Sequence, residues 1–144
     1  MITVADLLKI KGTKVYWITT SDTIQDALLL LAEKDVGALP VLDGKKLSGI
    51  FSERDFARLL ARKGSFSLDT PIQKIMTKQL FTVTPATSIE ECMQTMTEKH
   101  IRHLPVLEND KMVGLITIGD VVKAIISSQK DFIGQLEGYI SGSW

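Results

Sequence analysis

Gly49-Ile50-Phe51-Ser52-Glu53-Arg54-Asp55 returns 65 residues later as Gly114-Leu115-Ile116-Thr117-Ile118-Gly119-Asp120. The shared pattern is a glycine, two apolar residues, a hydroxyl residue, two variable positions and an aspartate. Outward from it, the match runs without a gap from Thr19/Thr84 to Asp55/Asp120, with eleven identical pairs in about 37 aligned positions. Leu39/Leu104, Pro40/Pro105, Val41/Val106 and Gly49/Gly114 are among them. A match of that length at one offset makes the chain two copies of one unit.

Each copy has the same order of elements. A β-rich entry, Val15–Thr19 or Leu80–Thr84, leads to a helix for which Asp22 or Thr87 is the expected N-cap. Ile24, Ala27, Leu28 and Leu31 form the apolar stripe of the first helix, and Ile89, Cys92, Met93 and Met96 that of the second. Cys92 therefore reads as a small core residue and the methionines as core filler. A hairpin follows, Leu39–Leu42 and Leu47–Phe51 around Asp43-Gly44, with Glu108-Asn109-Asp110 as the equivalent turn. A second helix begins near Glu53 and Ile118. The unit is β-α-β-β-α, an α/β (α+β) class, and two such units should pack sheet to sheet with pseudo-twofold symmetry. The expected boundaries are 1–63 for the first unit, 64–71 for a linker (Gly64–Thr70, then Pro71) and 72–128 for the second unit. A further amphipathic helix or tail occupies 129–144. Val4, Leu7 and Leu8 before the first copy, and Ile72, Ile75 and Met76 before the second, form short apolar lead-ins.

Bulk properties narrow the function classes. The 144 residues carry 17 basic and 17 acidic side chains, so no net field draws the chain to nucleic acid or an anionic membrane, and any anion site is local. The longest apolar run, Ala27–Ala32, is too short to span a bilayer, and the first residues lack the features of a signal peptide. The single cysteine excludes an internal disulfide and suits a reducing cytoplasm. There is no P-loop, Gly-x-Ser-x-Gly, His-Glu-x-x-His or Gly-rich dinucleotide fingerprint, and His100 and His103 lack partners at metal-ligand spacing. The expectation is a protein that is not an enzyme and holds no catalytic cofactor or metal.

The repeated signature admits two readings. In one, the hydroxyl residue and aspartate simply cap a helix. In the other, the same helix N-terminus offers N–H groups and a positive dipole end to a phosphate, with the aspartate accepting a ribose diol. The segment before each hairpin, Val36-Gly37-Ala38 or Ile101-Arg102-His103, supplies small residues for close approach of a base in one copy and donors suited to phosphate in the other. Arg54 is either a further phosphate ligand or part of a surface ion pair. Trp17 either stacks on a base or packs.

Phe81-Thr82-Val83-Thr84-Pro85, the Leu-Pro-Val strands and the doubled signature together resemble the cystathionine-β-synthase (CBS) domain, here as a tandem pair over about residues 2 to 127. The resemblance implies a module that binds AMP, ATP or NAD(H) or an S-adenosylmethionine-type ligand, usually as a homodimer. It implies one cleft joining Thr117 and Asp120 to Ile18, Gly37 and Ala38, and another joining Ser52 and Asp55 to Thr82, Arg102 and His103. Asp55 and Asp120 would take ribose; Ser52, Arg54, Arg102, His103 and Thr117 phosphate; Ile18, Gly37, Ala38, Thr82 and Ile101 the adenine. Trp17 and Thr20 depart from the family pattern, so the two clefts should differ. The expected function is an adenine-nucleotide sensor working by population shift on an unidentified protein target; a protein-interaction module with vestigial clefts is the alternative. In the tail, Phe132, Ile133, Leu136, Tyr139 and Ile140 share one helical face, which should be buried over the pair or in a dimer.

Overall fold

The computed structural model describes the backbone of residues 1–141 and the side chains through residue 138. The first copy comprises α1 (Val4–Lys11), β1 (Ile18–Thr19), α2 (Ile24–Lys34), β2 (Ala38–Asp43), β3 (Lys46–Ser52) and α3 (Glu53–Lys63). After a 3-10 turn at Ile72–Lys74 come α4 (Ile89–Lys99), β4 (His103–Glu108), β5 (Lys111–Thr117) and α5 (Ile118–Ser141). The fold is mixed α+β, as the repeat implies.

The two hairpins are alike to the residue. Leu39 pairs with Phe51 and Val41 with Gly49, while Leu104 pairs with Ile116 and Val106 with Gly114. Each has a register shift at the same place, after Val41 and after Val106. The turns themselves differ. Gly44-Lys45 turns the first hairpin, with positive φ at Gly44 alone, whereas Asn109 and Asp110 both adopt positive φ in the second. That matches the II′ and I′ geometries that suit twisted strands, with Asn and Asp tolerating the left-handed region. The first turn thus lies one residue beyond Asp43-Gly44, because Asp43 still pairs with Lys46.

Two further expectations shift by local competition. Thr23 and Ser88, not Asp22 and Thr87, cap α2 and α4, since the acidic residues Asp26 and Glu91 fall at N3 from them. Asp22 and Thr87 instead accept the N–H groups of Thr19 and Thr84, at 2.8 and 3.1 Å, and close the preceding turn. The entries are also shorter than their β-rich composition suggests. Ile18–Thr19 pairs in parallel with β2, but the second entry makes only a bridge, Val83 to Val106. Only Ile18 and Val83 are buried there, while Trp17 and Thr82 face outward, so each entry is anchored at one side chain.

The lead-ins cross. Val4, Leu7 and Leu8 of α1 are buried in the second copy's core with Ile89, Cys92 and Leu104. Ile72, with Ile75 and Met76, belongs to the first copy's core with Ile24, Leu39 and Phe51. Backbone bonds fix the exchange: Val4 N–H to Thr87 O at 2.8 Å, and Ile72 N–H to Asp22 O at 2.7 Å. The signature glycines are required by it. A Cβ on Gly49 would come within 2.6 Å of Met76 Sδ and 2.9 Å of Thr77 O, and one on Gly114 within 2.7 Å of Leu8 Cδ2. With β3 lying against β5, two small cores are thereby joined into one body.

The tail does not start a separate element: α5 continues unbroken from Ile118 to Ser141. Phe132, Ile133 and Leu136 remain 60%, 53% and 46% exposed, so this face does not cover the pair. Tyr139 and Ile140 lie beyond the described side chains, and Gly142-Ser143-Trp144 beyond the described chain.

Candidate functional site

Both signature helices begin with the same interlocked cap. Ser52 Oγ accepts the Asp55 N–H at 3.1 Å while Asp55 Oδ2 accepts the Ser52 N–H at 3.0 Å. Thr117 Oγ1 and Asp120 Oδ2 repeat this at 3.1 and 2.9 Å. The next N–H in each helix donates back to its own copy, Glu53 to Gly37 O at 3.0 Å and Ile118 to Arg102 O at 2.9 Å. Three of the four N-terminal donors are therefore engaged. Among the described residues, the N–H groups of Arg54 and Gly119 are the ones left to face a ligand.

Two cavities open at these helix ends, and each is built from both copies. The first, about 330 Å³, brings Ser52, Arg54 and Asp55 together with Ile101, Arg102 and His103. The second, about 360 Å³, brings Thr117 together with Gly37 and Ala38. Gly37 and His103 line both and form the wall between them, a Cβ on Gly37 standing 3.7 Å from the imidazole.

Electrostatics separate the two clefts. In the second, Lys11 Nζ donates to Asp120 Oδ2 at 2.6 Å and to Leu115 O at 2.7 Å, reaching over from the end of α1. Burial pushes the Asp120 carboxyl up, but the Lys11 bond and charge and the Thr117 N–H outweigh it, leaving the group below the usual carboxylate range. Among the described residues Asp55 has no salt-bridge partner. It accepts instead from the Thr77 hydroxyl at 3.2 Å, beside the crossed lead-in. Burial, then the charges of Lys11 and Arg102, hold His103 below the ordinary histidine value, although Asp120 and Asp55 pull the other way. Both effects, burial and the neighbouring cations, favour the neutral form of the imidazole.

Some candidate residues sit elsewhere. Ile18 is 4% exposed with its side chain in the core, and Thr82 is exposed and lines neither cavity. Asp120 does not line the second cavity either; it bonds to Lys11, which does. Trp17, about half exposed, walls a third cavity of about 550 Å³ between the two hairpin turns, near Lys45 and Lys111. Four cations were not among the sequence candidates: Lys11 and Lys14 in the second cleft, Arg58 and Lys99 in the first. Arg58 had a signal, lying four residues beyond Arg54 on one helical face. Lys11 had none, because it meets Asp120 only across 109 residues of sequence.

Comparison with known proteins identifies the family and the fold. The family model for the CBS domain matches residues 4–62 and 72–127. A solved protein with CBS domains from Burkholderia ambifaria is 45% identical, with a TM-score of 0.82 over 88% of this chain and 96% of that one. CBSX2, solved in complex with AMP, is 29% identical, with a TM-score of 0.75 over 90% of this chain and 99% of that one. In sequence, the mitochondrial CBS-domain protein CBSX3 of Arabidopsis thaliana is 38% identical over 99% of this chain and 73% of its own length.

Proposed function

The chain belongs to the CBS-domain family, as a tandem pair, and from that premise we propose that it is a regulatory module that binds an adenine nucleotide, AMP, ATP or NAD(H), between its two copies. The observation that carries this reading is the composite cleft. Each cavity joins the capped helix end of one copy to the pre-hairpin segment of the other. A ligand there bridges both units, and its differential affinity for their relative orientations shifts the population. Asp55 and Asp120 are the ribose acceptors in this reading. Ser52, Thr117, Arg54, Arg102 and His103 take phosphate, with Gly37, Ala38 and Ile101 beside the base. The AMP complex of CBSX2 supports the ligand class.

The output is a protein partner read through a homodimer. Ile118, Val122, Ile126, Phe132, Ile133 and Leu136 leave an apolar stripe exposed along α5. A second copy of the same face covers such a stripe with twofold symmetry. Among the described residues no helix is long and apolar enough to cross a membrane. The cytoplasm is the proposed compartment, resting on Cys92 as a buried free thiol.

One observation favours the interaction-module alternative: the caps already account for Ser52, Asp55, Thr117 and Asp120. Thermal unfolding of nucleotide-free protein against AMP, ATP, NAD⁺, NADH and S-adenosylmethionine separates the two. Ligand at about a hundred times its Kd adds about 2.7 kcal/mol and raises Tm by several degrees. No rise with any of them leaves the interaction module.

A further inference from the structure

The two clefts share a wall and a capping scheme but differ in charge at equivalent positions of the repeat. Arg54 in the Ser52/Asp55 cleft corresponds to Gly119 in the other, Arg102 to Gly37, His103 to Ala38 and His100 to Asp35. Each replacement makes the second copy's position less basic or more acidic. Packing does not impose it. A Cβ at Gly37 or Gly119 would meet its nearest neighbours at 3.7 and 3.6 Å, which is ordinary contact.

We propose that the Ser52/Asp55 cleft is built for an adenine nucleotide with two or more phosphates, with Arg58 and Lys99 holding the phosphates beyond the first. The inference rests on the adenine-nucleotide reading and gives that site its ligand class. Arg54, Arg58, Lys99 and Arg102 line one cavity against the carboxylates of Glu53 and Asp55. None of the four makes an ion pair; the one salt bridge among the described residues is Lys11–Asp120, in the other cleft. Arg54 and Arg58 share a face of α3. Lys99 closes α4 on the opposite side, its Nζ 5.3 Å from the centre of the Phe81 ring, which steadies the ammonium at the rim. The helix terminus with Arg102 and His103 is enough for a single phosphate. The remaining cations are in excess of that need and match a longer anionic chain.

The second cleft lacks this excess. Its Lys11 is committed to Asp120 and Leu115 O, and Asp35 sets a carboxylate against the one remaining lysine of its lining, Lys14. Lys34 and Lys123, the counterparts of Lys99 and Arg58, do not line the cavity. This cleft takes a nucleoside or a monophosphate.

Calorimetric titration of the nucleotide-stripped full chain with AMP and with ATP in metal-free buffer tests the assignment, in the wild type and in Arg58→Gln/Lys99→Gln. Both residues are exposed and outside the cores, so the variant should keep the fold, and circular dichroism checks that it does. The wild type should prefer ATP by about tenfold or more, and the preference should shrink to about threefold or less in the variant. Raising salt from about 0.05 to 0.3 M should erode ATP binding more than AMP binding. Equal affinities in the wild type, or equal losses for both nucleotides in the variant, overturn the assignment while leaving the nucleotide reading intact. Binding of neither nucleotide by the wild type overturns both.

Discussion

The two clefts are made by the same backbone and differ in their side chains. Hairpin register, bulge position, helix start and capping box coincide from one copy to the next. Yet one cleft ends in unpaired arginines and a lysine, and the other in an aspartate already tied to Lys11. Frame and function are therefore separable here. The residues that repeat, from Leu39/Leu104 to Gly49/Gly114, hold the scaffold, while in the proposed reading the residues that do not repeat distinguish what the two clefts take.

That contrast can be tested first where the effect is largest. Deleting residues 1–11 removes Val4, Leu7 and Leu8, three buried aliphatic side chains at about 1.5–3 kcal/mol each, on the order of 5 kcal/mol in all. Because α1 packs in the second core, amide exchange should accelerate in β4 and β5 before β2 and β3; uniform acceleration would break the crossed picture. Gly49→Ala should cost about 3 kcal/mol in urea unfolding and Gly114→Ala about 1 kcal/mol. The first meets the Thr77 carbonyl, which moves little, and the second meets only the end of the Leu8 side chain. Equal costs would mean the lead-ins adapt alike.

Smaller effects sharpen the chemistry. Asp55→Ala and Asp120→Ala should each lose about 1 kcal/mol as caps, but only Asp55→Ala should abolish the thermal response to ATP. Asp120→Ala should abolish the response to adenosine. The smallest expected signal is the pH dependence of His103. Its folded value lies below the unfolded one, so its stability contribution is fully present above about pH 6.5 and is lost as pH falls through the folded value. His103→Gln should flatten the change in urea midpoint between pH 7.5 and 5.5. An unchanged slope would place the titration elsewhere.

Much of the scaffold was legible because periodicity and turn chemistry are local. The offset of 65 residues, the hairpins, and helix starts at Glu53 and Ile118 all follow from neighbours in sequence. The exchange of lead-ins was not legible, since Val4, Leu7 and Leu8 carry the same apolar pattern whichever core they enter. The cap shift at Thr23 and Ser88 was readable in principle from Asp26 and Glu91 at N3. In the clefts, motif residues such as Ser52, Asp55, Arg102 and Thr117 come together. Ile18 is drawn inward by burial against β2, and Lys11 finds Asp120 only through tertiary packing. Charge pairing across 109 residues leaves no periodic trace.

The crossed lead-ins also set a timetable for chain synthesis. The first core needs Ile72, Ile75 and Met76, so that half cannot close when Lys63 emerges from the ribosome; it waits for the start of its sister. The second core needs α1, made well before it and left without its partner surface until β5 is complete. Each half completes its core only with a segment from the other, and the nascent chain must keep the apolar face of α1 out of trouble until β5 has been made.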